Sequence, residues 1–145
     1  MKFTSLILQL IGIAERIPSW ILGLVIRVGI ADLFWRSGQT KVSGWRVTET
    51  TVQLFREEYR VPLLPPEIAA DLAALQEHLF SFLLVIGLAS RLSALGLLGM
   101  TAVIQIFVYP LNWPDHLLWS GCLLYVIACG PGEASLDALI RRRFA

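Results

Sequence analysis

The chain has 145 residues, of which 56% are hydrophobic and only 16% charged. Soluble domains average about 45–50% apolar and about 25% charged residues, and a soluble protein this short could not hide so much apolar surface. The net charge of +1, with no basic stripe beyond Arg141-Arg142-Arg143, offers no footing for a nucleic-acid partner, so the composition points to one unit, residues 1–145, whose solvent is lipid.

The first apolar run, Thr4–Ala14, ends at Glu15-Arg16. No small-residue cleavage site accompanies it, so it is read as a short helix lying at the membrane surface. A first span is expected over about residues 19–35, between Trp20 and Trp35, because Trp favours the two membrane–water interfaces. It carries Arg27 near its middle and Asp32 near its end. The connection 36–67 is the one long one. In it Trp45, Thr48, Val52, Phe55 and Tyr59 share one helical stripe, with Ser43 placed to cap the start. This predicts an amphipathic helix over about 44–59, ended by the proline-rich stretch Val61–Pro66, since proline bars continuation.

The second span, residues 68–90, is long enough to cross a bilayer at about 20 residues per helix, yet holds Glu77 and His78 side by side. The turn Ser90-Arg91 then forces an antiparallel hairpin into a third span, 92–109, interrupted by Ser93, Thr101 and Gln105. The fourth, 114–130, follows Trp113. A last interfacial helix, 135–144, carries Arg141–Arg143 at the end its dipole favours. Cys122 and Cys129 lie about 10 Å apart on one helix face at roughly 1.5 Å per residue, too far to bridge, and are read as packing residues. The expected fold is therefore all-α, an integral membrane four-helix bundle with an amphipathic helix between spans one and two. Lys and Arg divide six (Lys2, Arg16, Arg91, Arg141, Arg142, Arg143) against five (Arg36, Lys41, Arg46, Arg56, Arg60) between the two sides, which places both termini in the cytoplasm.

With that topology Asp32, Glu77, His78, Gln105 and His116 sit at similar depth in the outer half, Arg27 about a turn deeper. Ionisable groups in hydrocarbon cost on the order of 2.5–3.5 kcal/mol on insertion scales and face a protein interior or a wet cavity. Each has a plainer role open to it. Asp32 can pair with Arg36 one turn on, Arg27 can pair with Glu77, Gln105 can bond between helices, and His116 can sit at the interface beside Trp113 and Trp119. Adjacent Glu77 and His78 point about 100° apart on a helix, so one can bind while the other supports it. A carboxylate, imidazole and guanidinium cluster under a Trp-rich lid suits a quinone headgroup, whose carbonyl oxygens want donors and whose reduction needs protons from groups such as His or Glu. Two His and carboxylates also suit Cu, Fe or Zn, although no HxxxH or HExxH spacing is present. Phosphate loops, nucleophile elbows and dinucleotide fingerprints are absent.

Arg27-Val28-Gly29, Phe34, Ser37-Gly38-Gln39-Thr40-Lys41, Glu77, the run Gly87–Ala94, Met100 and the run Gly130–Asp137 together resemble the DoxX family, over about residues 18–139. The resemblance implies a small four-helix protein of the bacterial inner (cytoplasmic) membrane. The family takes its name from a subunit of a thiosulfate:quinone oxidoreductase, and some relatives occur with copper- or oxidative-stress proteins. It carries over Arg27, Lys41, Glu77 and Arg91 as the positions of interest, while the missing CxxC argues against thiol oxidation. Fold and membership do not by themselves assign a reaction.

Three readings follow. The first is the membrane component of an oxidoreductase system, with a quinone-like molecule bound by Arg27, Asp32, Lys41, Glu77, His78, Gln105, Trp113 and His116. The second is a non-catalytic scaffold that docks a partner protein through the 45–59 segment. The third is a copper- or other metal-handling accessory using His78 and His116. The sequence is compatible with a homo-oligomer in each.

Overall fold

The computed structural model describes the backbone of residues 2–144 and the side chains of residues 6–144. The chain is almost entirely helical, as expected: α1 (Lys2–Ala14), α2 (Ser19–Lys41), α3 (Glu49–Leu54), α4 (Pro66–Ile86), α5 (Ser90–Val103), α6 (Trp113–Cys129) and α7 (Leu136–Phe144). A small antiparallel pair, β1 (Val42–Ser43) and β2 (Arg46–Val47), follows α2. Two helices continue into single π turns, α3 into Phe55–Tyr59 and α5 into Ile104–Val108.

α2 packs against α4 and α6, and α5 packs against the same two helices. Their shared core is Ile30, Ala31, Phe34, Leu84, Ala94, Leu97, Leu123 and Val126. The outer faces are apolar as well: Leu22, Val25, Leu75, Phe82, Leu95, Leu118 and Leu124 are all exposed. Apolar contacts inside and apolar side chains outside are the pattern of helices solvated by lipid. By length and composition α4 and Ser90–Val108 can each cross a membrane, and α1 with α2, bent by 64° between them, can form a third span. The bend falls at Pro18, which caps α2 with an extended backbone and cannot donate to a continuous helix.

Three boundaries differ from the sequence expectation. α2 runs to Lys41 rather than ending near 35, because nothing from Arg36 to Lys41 breaks a helix. The segment expected as a helix from 44 is a hairpin to residue 47. Gly44 turns it at φ +64°, a left-handed conformation that glycine adopts without strain, and Trp45 stands fully exposed at the tip. The cap of α3 is thus Thr48, whose hydroxyl accepts from Thr51 N at 3.2 Å, and not Ser43. Val52, Phe55 and Tyr59 keep their common face and pack on Ala69, Ala70 and Ala73 at the start of α4.

The tight turn between α4 and α5 is Gly87–Ala89, one step earlier than Ser90-Arg91. Gly87 ends α4 at φ +72°, with Leu88 N donating to Leu83 O at 3.0 Å, a helix stop that a left-handed residue makes. Ala89 is also left-handed, at φ +48°. The Asp137 carboxylate, from α7, accepts from Ala89 N and Ser90 N at 2.8 Å each. The C-terminal helix therefore caps α5 from outside.

Candidate functional site

Gly38 sets the geometry where α2 meets α4. A Cβ there would lie 2.8 Å from His78 Cε1 and 3.1 Å from Glu77 Cβ, so only glycine lets the last turns of α2 press onto the middle of α4. The approach delivers Lys41 and Ser37 to Glu77. Lys41 Nζ donates to Glu77 Oε1 at 2.9 Å, to Ser37 Oγ at 3.0 Å and to Ser37 O at 3.2 Å. Ser37 Oγ in turn donates to the same Glu77 Oε1 at 3.0 Å. Glu77 is 1% exposed, and its second oxygen, Oε2, has no protein partner.

A second polar group comes from α5 and α6. Gln105, in the π turn, donates through Nε2 to Pro110 O at 2.7 Å. That fixes its amide, so its Oε1 is the acceptor for His116 Nδ1 at 2.6 Å. Nδ1 must then carry a proton. His116 is buried, its ring stacks edge-on to Trp119 at 5.0 Å, and Nε2 is left without a partner.

Glu77 and His116 both line one cavity of about 600 Å³. It is lined by α4 (Ala69, Leu72, Ala73) and α5 (Gly96, Gly99, Met100, Val103), with Phe34 and Trp119. Gly99 faces open space. Phe55, Tyr59, Val61 and Leu64, from the long connection, lie over the mouth with Tyr109. The two π turns meet there: Tyr109 OH donates to Tyr59 OH at 3.5 Å and the rings stack edge-on at 5.7 Å. Burial pushes the Tyr59 hydroxyl above its ordinary pKa. π turns are rare and frequently mark functional sites.

The other sequence candidates lie elsewhere. Arg27 does not pair with Glu77 and does not reach the cavity. Its guanidinium, buried, donates to Pro131 O at 3.2 Å and Ala134 O at 2.8 Å, tying α2 to the turn before α7. Asp32 is exposed and paired with Arg36 at 2.9 Å, one turn on. It sits nine residues before the end of α2, since that helix is longer than expected. His78 points away, as adjacent residues on a helix must. Its Nδ1 meets Ala74 O at 2.7 Å, its Nε2 meets Gln39 Nε2 at 2.8 Å, and its ring stacks on Trp35 at 5.0 Å. A histidine so satisfied braces the helix pair. Trp113 is exposed at the start of α6, and Trp119 is the indole that covers His116. Arg91, at the opposite end, donates to Ala128 O at 3.4 Å.

Sequence reasoning missed Ser37, Tyr59 and Tyr109 as parts of the site. Ser37 stands four residues before Lys41, a one-turn spacing that could have identified it; the meeting of Tyr59 and Tyr109 is purely tertiary. Among the described residues no three His, Cys, Asp or Glu side chains are grouped to hold a metal, and His78 and His116 belong to separate hydrogen-bond chains.

No solved structure matches the chain. A protein of Haemophilus influenzae described as uncharacterized is 30% identical, over 82% of this chain and 83% of its own length. The DoxX family model matches residues 22–110, more than half of the chain. The match takes in Arg27, Lys41, Glu77, Arg91 and Gln105 and stops before His116. Together with its apolar-faced helices, this establishes that the chain belongs to the DoxX family of membrane proteins.

Proposed function

We propose that this chain is the membrane component of an oxidoreductase system and that the cavity under Tyr59 binds the headgroup of a quinone-like molecule. The carrying observation is the cavity's polarity. Its walls are mainly apolar, and its two fully buried polar side chains are Glu77, bonded to the half-buried Lys41 and Ser37, and His116. A volume of about 600 Å³ falls within the range of about 300–1,000 Å³ usual for small-molecule sites. An apolar ring and tail would lie between α4 and α5, where Gly99 leaves a gap toward lipid, and the oxygenated head would reach Glu77 and His116.

In this reading α2, α4, α5 and α6 are four membrane spans and form a bundle. Both termini face the cytoplasm of a bacterial inner membrane. With Lys41 withdrawn into the Glu77 pair and Arg27 turned toward Pro131, the balance of Lys and Arg favours that side more than the bare count does. The cavity then lies in the outer half. The test is a titration of the purified protein, in detergent, with decylubiquinone and its quinol, read by Trp fluorescence. Saturable binding in wild type, weakened in a His116→Phe variant, supports the reading. No binding of either form removes it.

A second reading, a docking scaffold, draws on Trp45 and Leu63, both fully exposed beyond the cavity mouth. Co-purification of one periplasmic protein with wild type but not with Trp45→Ser would favour it.

A further inference from the structure

Building on the proposed quinone-type site, we propose that the cavity selects the reduced, hydroxyl-bearing quinol over the quinone. A quinone offers two carbonyl oxygens, which only accept hydrogen bonds. A quinol offers two O–H groups, which donate. The decisive question is which kind of partner the buried end of the cavity has to spare.

The donors of its two hydrogen-bonded chains, Lys41–Ser37–Glu77 and Gln105–His116, are used up. Lys41 Nζ carries three protons, and it has three acceptors: Glu77 Oε1, Ser37 Oγ and Ser37 O. The Ser37 hydroxyl proton goes to Glu77 Oε1. The proton on His116 goes to Gln105 Oε1, whose amide is held in turn by Pro110 O. What remains without a partner is an acceptor on each side, Glu77 Oε2 and His116 Nε2. Both residues line the cavity, both are at most 2% exposed, and the two unpartnered atoms are themselves buried. A carboxylate oxygen beside an ammonium, and an imidazole nitrogen whose other nitrogen is already protonated, can each take a proton in hydrogen bonding but have none to give. Gln76, Asn112, Tyr59 and Tyr109 also line the cavity; amides and hydroxyls serve donors and acceptors alike, so they do not discriminate. The indole N–H of Trp119, which lines it too, is one donor against these two acceptors. Leaving a buried acceptor unmatched costs more than the mean hydrogen bond gains, and this asymmetry penalises a quinone twice.

The inference also explains why Lys41 is present. With Ser37 it engages one oxygen of Glu77, Oε1, and leaves the other, Oε2, without a protein partner.

The experiment compares decylubiquinone, decylubiquinol and the dimethyl ether of the quinol, binding anaerobically to wild type and to Glu77→Gln. In wild type the quinol should bind roughly tenfold or more tighter than the quinone, and the ether, with both O–H groups capped, should bind no better than the quinone. Glu77→Gln keeps an oxygen for Lys41 and Ser37 and presents an amide donor in place of Oε2, while His116 Nε2 still accepts, so the quinol preference should shrink markedly. If the quinone or the ether binds wild type as tightly as the quinol, the inference is overturned while the cavity remains a quinone site. If no form binds wild type, the site reading itself falls. The wild-type comparison of the three probes decides the matter even where Glu77→Gln fails to fold.

Discussion

Lys41 Nζ lies 2.9 Å from Glu77 Oε1, and both side chains are almost wholly buried, 11% and 2% exposed. A buried pair like this is weak evidence for stability on its own, because desolvating both charges offsets their attraction. Removing one partner is a different matter, since it strands the other charge. Lys41→Met should therefore destabilise the protein by about 3–5 kcal/mol, while Lys41→Met with Glu77→Leu should recover most of that loss. Thermal unfolding in detergent measures both. A single variant that melts with wild type would mean that the Glu77 charge has another outlet.

Gly38 makes the pair possible, so its replacement tests the site without touching a charge. A methyl at 38 would press on His78 and Glu77, and the ring of His78 is pinned by Ala74 O, Gln39 and Trp35. Gly38→Ala should part α2 from α4 by a few tenths of an ångström at the level of Glu77. Ligand binding should fall several-fold, with a stability loss of about 1–3 kcal/mol from overpacking. Binding isotherms and melting curves on one preparation separate the two effects. Wild-type affinity in the variant would show that the cavity tolerates the shift.

How far the sequence foretold this arrangement depends on the residue. Glu77 was legible because a carboxylate inside a long apolar run has to be accounted for. Gln105 and His116 were legible by depth alone, and they do meet. Asp32 misleads because Trp35 suggests an aromatic belt and so an end for α2, although the helix continues through Ser37–Lys41. Arg27 misled because charge attraction was weighed without the carbonyls of Pro131 and Ala134, which come from the far end of the chain. The hairpin at 42–47 was missed because Trp45 fits the helical stripe, and one glycine, Gly44, decides against it. The lid over the cavity is long-range packing of two π turns, which no local pattern announces.

The run Gly130–Asp137 looked like part of a functional motif and serves as a clamp. Arg27 holds its start, and Asp137 holds the α4–α5 turn through Ala89 N and Ser90 N. Charge-assisted bonds of this kind contribute about 1.5–3 kcal/mol, so Asp137→Ala should lower stability by about that amount. It should leave quinol binding unchanged, since the cavity is at the other end. Limited proteolysis within 130–135 should accelerate in Arg27→Met. If Asp137→Ala abolished binding without unfolding, the clamp would have to be coupled to the cavity.

The lid offers a pH test. In the folded protein the Tyr59 hydroxyl is held above its ordinary value of 10.0 by burial. The unfolded chain therefore loses this proton first as pH rises. Between the unfolded and folded values the native state binds more protons, so stability is complete below pH 10 and falls as pH climbs past it. Tyr59→Phe removes the titrating group while keeping the ring stacked on Phe55 and Tyr109. Its melting temperature should decline less steeply than that of wild type above pH 10, and both should share the same profile near neutrality, apart from a constant offset for the lost hydrogen bond. Parallel slopes above pH 10 would mean that the Tyr59 hydroxyl meets solvent and that the lid stands open.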